Sequence, residues 1–186
     1  MKKRIVINTD NLKIRTLYPE DINLAYVNGL NDSAVNRFLD TVRRKRQTLK
    51  TVNEFVRSNF DSKSDLLLGV FLKESDDMIG TIRLHDITYH HFLCRLGICF
   101  FRKEYWGKGY ASEALRHVVD FVFKDMGLHY IESGVFEGND NSVRLFKRAG
   151  FKIQTVYEDV YVHEGNFKNV IVFNVSNPLF RLTKEC

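Results

Sequence analysis

Two glycines, Gly107 and Gly109, follow the apolar run Cys99-Phe100-Phe101 and stand directly before a segment with helical periodicity. In that segment Ala111, Leu115, Val118, Val119, Val122 and Met126 recur at the spacing of one helix face. A strand, a glycine turn and a helix can together hold phosphate. Glycine lets the backbone turn tightly and approach a ligand, and the first free N–H groups of the helix, with its dipole, favour an anion there. A plain turn would use the same glycines. The chain has no Gly-x-x-x-x-Gly-Lys-Ser/Thr loop and no Gly-x-Gly-x-x-Gly after a first strand, so neither a nucleoside triphosphate loop nor a dinucleotide fold is indicated. The ligand would then carry a different pyrophosphate.

The spelling Trp106-Gly107-Lys108-Gly109-Tyr110-Ala111 resembles the [Gln/Arg]-x-x-Gly-x-[Gly/Ala] pyrophosphate loop of the GNAT superfamily of acetyl-CoA-dependent N-acetyltransferases. Tryptophan in the first place looks like the branch that acetylates ribosomal-protein N-termini (RimJ/RimL-like). Downstream, Asn139-Asp140-Asn141-Ser142-Val143-Arg144-Leu145-Phe146, closing on Gly150-Phe151, resembles the family's Asn-x-x-Ser-x-x-Leu-Tyr-x-x-x-Gly-Phe segment. Near the start, Leu17-Tyr18-Pro19-Glu20-Asp21 is similar to the family's Leu-x-x-x-Asp entry.

The resemblance implies an α/β GNAT fold, a mixed and mostly antiparallel sheet flanked by helices, with the fourth and fifth strands splayed around the pantetheine arm of acetyl-CoA. On that basis Cys99, Phe100 and Phe101 would contact the arm from the fourth strand, and Gly107, Lys108, Gly109, Tyr110, Ala111 and Ser112 would hold the pyrophosphate. Asn139 would hydrogen-bond the arm, or serve as an ordinary loop cap. Phe146 would pack on the arm, or simply fill the core. The reaction is attack of a neutral amine on a thioester. An alkyl ammonium titrates near 10, so a base or a water chain must take its proton, and an acid must meet the departing thiolate. Phe146 stands where many members carry a tyrosine acid and Arg95 where relatives often carry a carboxylate base. The acid role then passes to Ser142, whose other use would be as a helix cap. Asp159 is the preferred base among Asp159, Glu158, Asp86, His85, His90 and His91, any of which could equally be a solvated hairpin residue.

Two functions compete. One is an N-acetyltransferase acting on a primary amine, either a protein N-terminus or a small molecule such as an amino-sugar nucleotide; the run Leu30 to Leu39 is similar to members encoded beside surface-sugar pathways. The other is an acyl-CoA-binding module without turnover. The basic cluster Arg43, Arg44, Lys45, Arg46 and Lys50 reads as a solvated loop or as a surface for an anionic acceptor. In the family, the segment between the first two helices borders the acceptor pocket. No acidic cluster near it suits a polyamine.

At 186 residues the chain is one domain, 1–186, with a core of its own. Its 44% hydrophobic and 27% charged residues are those of a soluble globular protein. No apolar run reaches membrane-spanning length, and Ile5-Val6-Ile7 is too short for a secretory leader. Cys94, Cys99 and Cys186 are odd in number and unpatterned, which points to reduced thiols and a cytoplasmic setting. A net charge of +5 suits a polyanionic ligand such as acetyl-CoA, and no zinc-finger, RNP or GXXG signature calls for nucleic acid. Six histidines without paired spacing give no metal site. Monomer and homodimer are both compatible with the chain.

To position these residues the sequence offers seven strands and four helices in the order β-α-α-β-β-β-α-β-α-β-β. Leu12 to Leu17 alternates as a half-buried strand, and Pro19-Glu20-Asp21 opens a helix with Ile22, Ala25 and Tyr26 on one face. Thr51 to Glu54 suggests a capping box for a helix ending near Phe60. Leu66 to Leu72 is continuously apolar, as in a central strand. Strands follow at 78–85, 93–101, 130–136, 151–157 and 166–175, with a turn at His163-Glu164-Gly165. Asp140 or Asn141 is expected to cap the short helix that Gly150 stops.

Overall fold

The structure, a computed structural model, describes residues 4–163 and 165–182. Cys186 and Glu164 of the expected turn lie outside the described residues. An eight-stranded sheet forms the middle layer, with strand order β1-β2-β3-β4-β5-β6-β8-β7. Its strands are β1 Val6–Asn8, β2 Leu12–Thr16, β3 Leu66–Leu72, β4 Met78–Thr88, β5 Leu93–Phe100, β6 Tyr130–Phe136, β7 Lys152–His163 and β8 Asn166–Ser176. The helices are α1 Leu24–Asn31, α2 Ser33–Asn36, α3 Asp40–Arg43, α4 Leu49–Asp61, α5 Tyr110–Lys124 and α6 Asp140–Arg148. Every pairing is antiparallel except β5 with β6. Among the described residues no helix is long and apolar enough to cross a membrane.

β3 explains the two layers of helix. Its alternate side chains serve two cores: Leu68, Val70 and Leu72 pack with Ala114, Leu115 and Val118 of α5 and Phe146 of α6, while Leu67 and Phe71 pack with Tyr26 and Leu30 of α1 and Val52 and Val56 of α4. A strand buried on both faces must be apolar at every position, as this one is.

Several local expectations change. Pro19–Asp21 makes a single 3-10 turn, because Asp21 turns back to accept from Tyr18 N at 2.8 Å and from Arg15 at 2.6 Å. Asn23 then starts α1 afresh by accepting from Tyr26 N at 3.0 Å, and Ala25, expected inside, is exposed. The capping box of α4 is built by Thr48 with Thr51, so that helix begins at Leu49. α6 is capped by Asn139 rather than by Asp140 or Asn141, with its side chain accepting from Ser142 N at 3.3 Å. It ends in a Schellman turn, Phe151 N to Phe146 O at 3.0 Å and Gly150 N to Lys147 O at 3.1 Å, with Gly150 at φ 86°. β1, α2 and α3 were not foreseen.

Glu113, in the first turn of α5, ties the glycine-led helix to the β1–β2 turn. It accepts from Thr9 Oγ1, from Asn11 N at 2.8 Å and from Asn11 Nδ2 at 2.9 Å. Burial opposes its ionisation, but the bonds from Thr9 and Asn11 outweigh that and hold the carboxyl below its usual range. Glu113→Ala should cost about 1–2 kcal/mol and lower Tm by about 2–8 °C. A carboxyl lowered in the fold stabilises above its unfolded pKa and loses that contribution as pH falls through the folded one. Thermal melts of wild type and variant should therefore converge below about pH 4.

Candidate functional site

β5 and β6 pair over three rungs, Leu93 with Tyr130, Cys94 with Ile131 and Arg95 with Glu132, and then separate. At the parting point the Ser133 hydroxyl donates to Leu96 O at 2.7 Å. That side chain occupies the acceptor which a continuing ladder would give to the next backbone N–H, so the strands diverge beyond it. Hydrogen-bond direction alternates along an antiparallel strand. Phe101 N donates to Ile79 O at 3.1 Å, so Phe101 and Cys99 address β4, and Ile98 and Phe100 address the gap. Likewise Glu137 N donates to Asn169 O at 3.0 Å, so Gly134 and Phe136 address the gap from β6. Phe100 O is taken by Trp106 Nε1 at 2.8 Å and Phe136 O by Asn139 N at 3.1 Å. The N–H groups of Ile98, Phe100 and Gly134 and the C=O of Ile98 thus face a space that an extended ligand with amides of its own could fill as an added strand.

The glycine loop sits at the end of β5, tied there by the Trp106 bond. Gly107 and Gly109 adopt φ 76° and 88°, the left-handed region that favours glycine, and within 4 Å of a Cβ built on either there is open space. Gly109 is the N-cap of α5 and has no side chain to cap it. α1, α4 and α6 are capped by Asn23, Thr48 and Asn139, whereas the N–H groups of Tyr110, Ala111 and Ser112 are left open toward the loop. Lys108 lies 5.1 Å from the Tyr105 ring, which makes an edge contact with Tyr110. The six expected phosphate-loop residues therefore lie together at an uncapped helix start, at the end of β5 where the gap opens.

The remaining expected residues divide. Asn139 and Ser142 lie at the start of α6, just past the gap end of β6; the cap uses the Asn139 carbonyl and the Ser142 N–H and leaves the Ser142 hydroxyl out. Phe146 is a core residue, 2% exposed, with its ring against Phe151 and Phe173, so it does not face the gap. Phe101 is buried against Tyr26, and burial pushes the Cys99 thiol up to about 12. Neither their backbone nor their side chains address the gap; of the expected trio only Phe100 does. Asp159 is not brought to the gap either. It stands exposed at φ 51° in an irregular stretch of β7, its N–H donating to Asn169 Oδ1 at 3.0 Å. β7 is two strands from β6, on the order of 10 Å.

The α1–α4 face of the gap holds groups that were missed or set aside. Gly97 and Gly134 are exposed there on the two parting strands and present no side chain. At the closed end of the gap Arg95 Nε binds Glu132 Oε1 at 3.0 Å, and Arg95 Nη1 binds Asp86 Oδ2 at 3.2 Å, which also meets His85 Nδ1 at 3.1 Å. Burial opposes ionisation of Asp86, but His85 and Arg95 outweigh it and hold that carboxyl low. At the open end Phe136 meets the Tyr161 ring at 4.9 Å and the His163 ring at 6.2 Å. His163 stacks on Phe38 at 5.4 Å and meets Arg43 Nη1 at 3.0 Å, which folds the α2–α3 segment over the end of β6. Glu132 was not among the expected bases, and the Arg43–His163 contact, 120 residues apart in sequence, was not foreseen. Among the described residues no three His, Cys, Asp or Glu side chains gather as metal ligands.

The profile of the Acetyltransferase (GNAT) domain matches residues 11–152. YoaA of Bacillus subtilis (strain 168), an uncharacterized N-acetyltransferase, is 25% identical over 93% of this chain and 97% of its own. The spermidine N-acetyltransferase of Vibrio cholerae, solved with CoA and spermine, superposes with TM-score 0.80 at 20% identity, covering 89% of this chain and 95% of that one. The ribosomal L7/L12 α-N-protein acetyltransferase RimL, solved with coenzyme A, superposes with TM-score 0.83 at 14% identity over 92% and 98%. At these identities the two superpositions speak for the fold alone.

Proposed function

This chain belongs to the GNAT acetyltransferase family, and from that premise we propose that it moves acetyl from acetyl-CoA to a primary amine of a protein N-terminus or a small molecule. Acetyl-CoA is the family's acyl donor and supplies the activated thioester. The observation that carries the reading is the placement of an uncapped, glycine-started helix at the end of the same strand whose unpaired amides line the gap. In this assignment the N–H groups of Tyr110, Ala111 and Ser112 bind the diphosphate, with Lys108 adding charge. Ile98, Phe100 and Gly134 bond the pantetheine amides, and one β5 N–H polarises the thioester carbonyl.

The acceptor enters from the α1–α4 face, where Gly97 and Gly134 leave room. Glu132 takes up the ammonium proton through water, replacing Asp159 in that role. The nitrogen then bonds the acyl carbon and the C–S bond breaks; the thiolate takes the Ser142 hydroxyl proton, and Ser142 recovers one from the reacting nitrogen as it becomes an amide. No covalent enzyme intermediate is needed, and positioning carries much of the rate. The RimJ/RimL branch is favoured by the Trp106-led loop, and a cytoplasmic setting by the free thiols of Cys94 and Cys99.

Ser142→Ala should lower kcat about tenfold or more while leaving acetyl-CoA affinity and Tm unchanged, since Asn139 and the Ser142 N–H keep the cap. Equal losses in activity and Tm would make the hydroxyl structural. The function itself is tested by thiol release from acetyl-CoA with N-terminal peptides, amino-sugar nucleotides and polyamines. Amine-dependent release is expected; acetyl-CoA binding without release on any amine would overturn it.

A further inference from the structure

Four arginines among the described residues are half-buried: Arg15, Arg43, Arg83 and Arg102. Three of them hold a carboxylate, Arg15 with Asp21 at 2.6 Å, Arg83 with Asp65 at 3.5 Å and Arg102 with Glu104 at 2.6 Å. Arg43 faces none of the described carboxylates within ion-pair distance. It is fixed instead by His163 Nδ1 at 3.0 Å. A guanidinium has donors and no acceptor, so in this bond the imidazole nitrogen accepts and its ring proton lies on Nε2. The bond therefore aims Arg43 without neutralising it, and among the described residues no hydrogen bond takes its other N–H donors.

A partly desolvated cation left unpaired is costly, and a fold that keeps one beside a ligand gap is arranged for an anion. The surroundings agree. His163, which aims the group, is 5% exposed and packs between Phe38 and Phe136, and Phe136 edges the gap on the side where the amine would enter. Arg44, Lys45 and Arg46 follow in sequence, and of these Arg44 is paired, with Asp40 at 2.6 Å. The local field attracts anions and repels a polycation.

We propose that the acceptor is an amine that also bears an anionic group, a carboxylate or a phosphate, and that Arg43 receives that group at the open end of the gap. This rests on the acetyltransferase reading above and narrows its substrate class. It sets this chain apart from an enzyme built for spermidine, although its fold superposes on one.

The test uses matched acceptors that differ in charge: 4-(aminomethyl)benzoate against its amide, phenylalanine against phenylalaninamide, and glucosamine 6-phosphate against glucosamine, with spermidine as the polycation. The first two pairs probe carboxylate and the third phosphate. Thiol release should show the charged member of at least one pair favoured tenfold or more in kcat/KM. Arg43→Gln should erase that preference by raising KM for the charged member, with the neutral member and acetyl-CoA unaffected. The wild-type comparison stands even if the variant folds poorly. Neutral members or spermidine equalling the charged ones would overturn the proposal, as would a preference that survives Arg43→Gln. Turnover without charge preference sinks this inference alone, whereas no turnover of any amine sinks it together with the acetyltransferase reading.

Discussion

Gly109→Trp should weaken acetyl-CoA binding by tenfold or more, which corresponds to about 1.4 kcal/mol, when measured by calorimetric titration. Gly109 sits at φ 88° as the N-cap of α5, with nothing within 4 Å of where a Cβ would point. That open space is where the account places the diphosphate, so an indole there competes with the ligand rather than with the protein. The left-handed backbone adds strain of about 1–2 kcal/mol for any other residue, which a control must separate from lost binding. Gly127, at φ 68° past the far end of α5 and equally open, provides it. Gly127→Trp should lower Tm comparably and leave acetyl-CoA affinity intact. Unchanged affinity in Gly109→Trp would remove the loop from the binding site.

Glu132→Gln should reduce kcat by about 10²-fold, the low end for a lost acid–base group, with little change in acetyl-CoA affinity. Glutamine keeps the shape and can still accept from Arg95, whose guanidinium is also held by Asp86 at 3.2 Å, so the strand rung should stay in place. What it loses is the ability to take a proton. Steady-state rates across pH should show the acidic limb of the wild-type profile flattened in the variant. A wild-type kcat in Glu132→Gln, or a fall in rate matched by a fall in Tm, would assign the carboxylate to structure alone.

The parts of the site that were legible in the sequence are those fixed by residue type. Gly107 and Gly109 announce a positive-φ turn, and the apolar spacing after them announces the helix whose N-terminus it leaves open. What was not legible depends on parity and burial. Whether Cys99 and Phe101 or Ile98 and Phe100 face the gap turns on which way one N–H points, and shifting the register by a single residue reverses the answer. Asp159 is placed by an irregular β7, whose register against β8 slips twice, between Ile153 and Thr155 and between Tyr157 and Tyr161. Asn139 is spelled like both a ligand-binding and a capping residue, and its carbonyl caps. Arg43 and Arg44 are adjacent and chemically identical, yet one is exposed and paired with Asp40 while the other is half-buried against His163. Only tertiary packing separates them, which is why a basic run reads as solvated surface.

The most direct test is a crystal structure of the protein with coenzyme A. The account predicts diphosphate oxygens within hydrogen-bond distance of the N–H groups of Tyr110, Ala111 and Ser112. It also predicts pantetheine amides bonded to Ile98, Phe100 or Gly134 between β5 and β6. A coenzyme bound elsewhere, or a gap that stays free of it at saturating concentration, would contradict it.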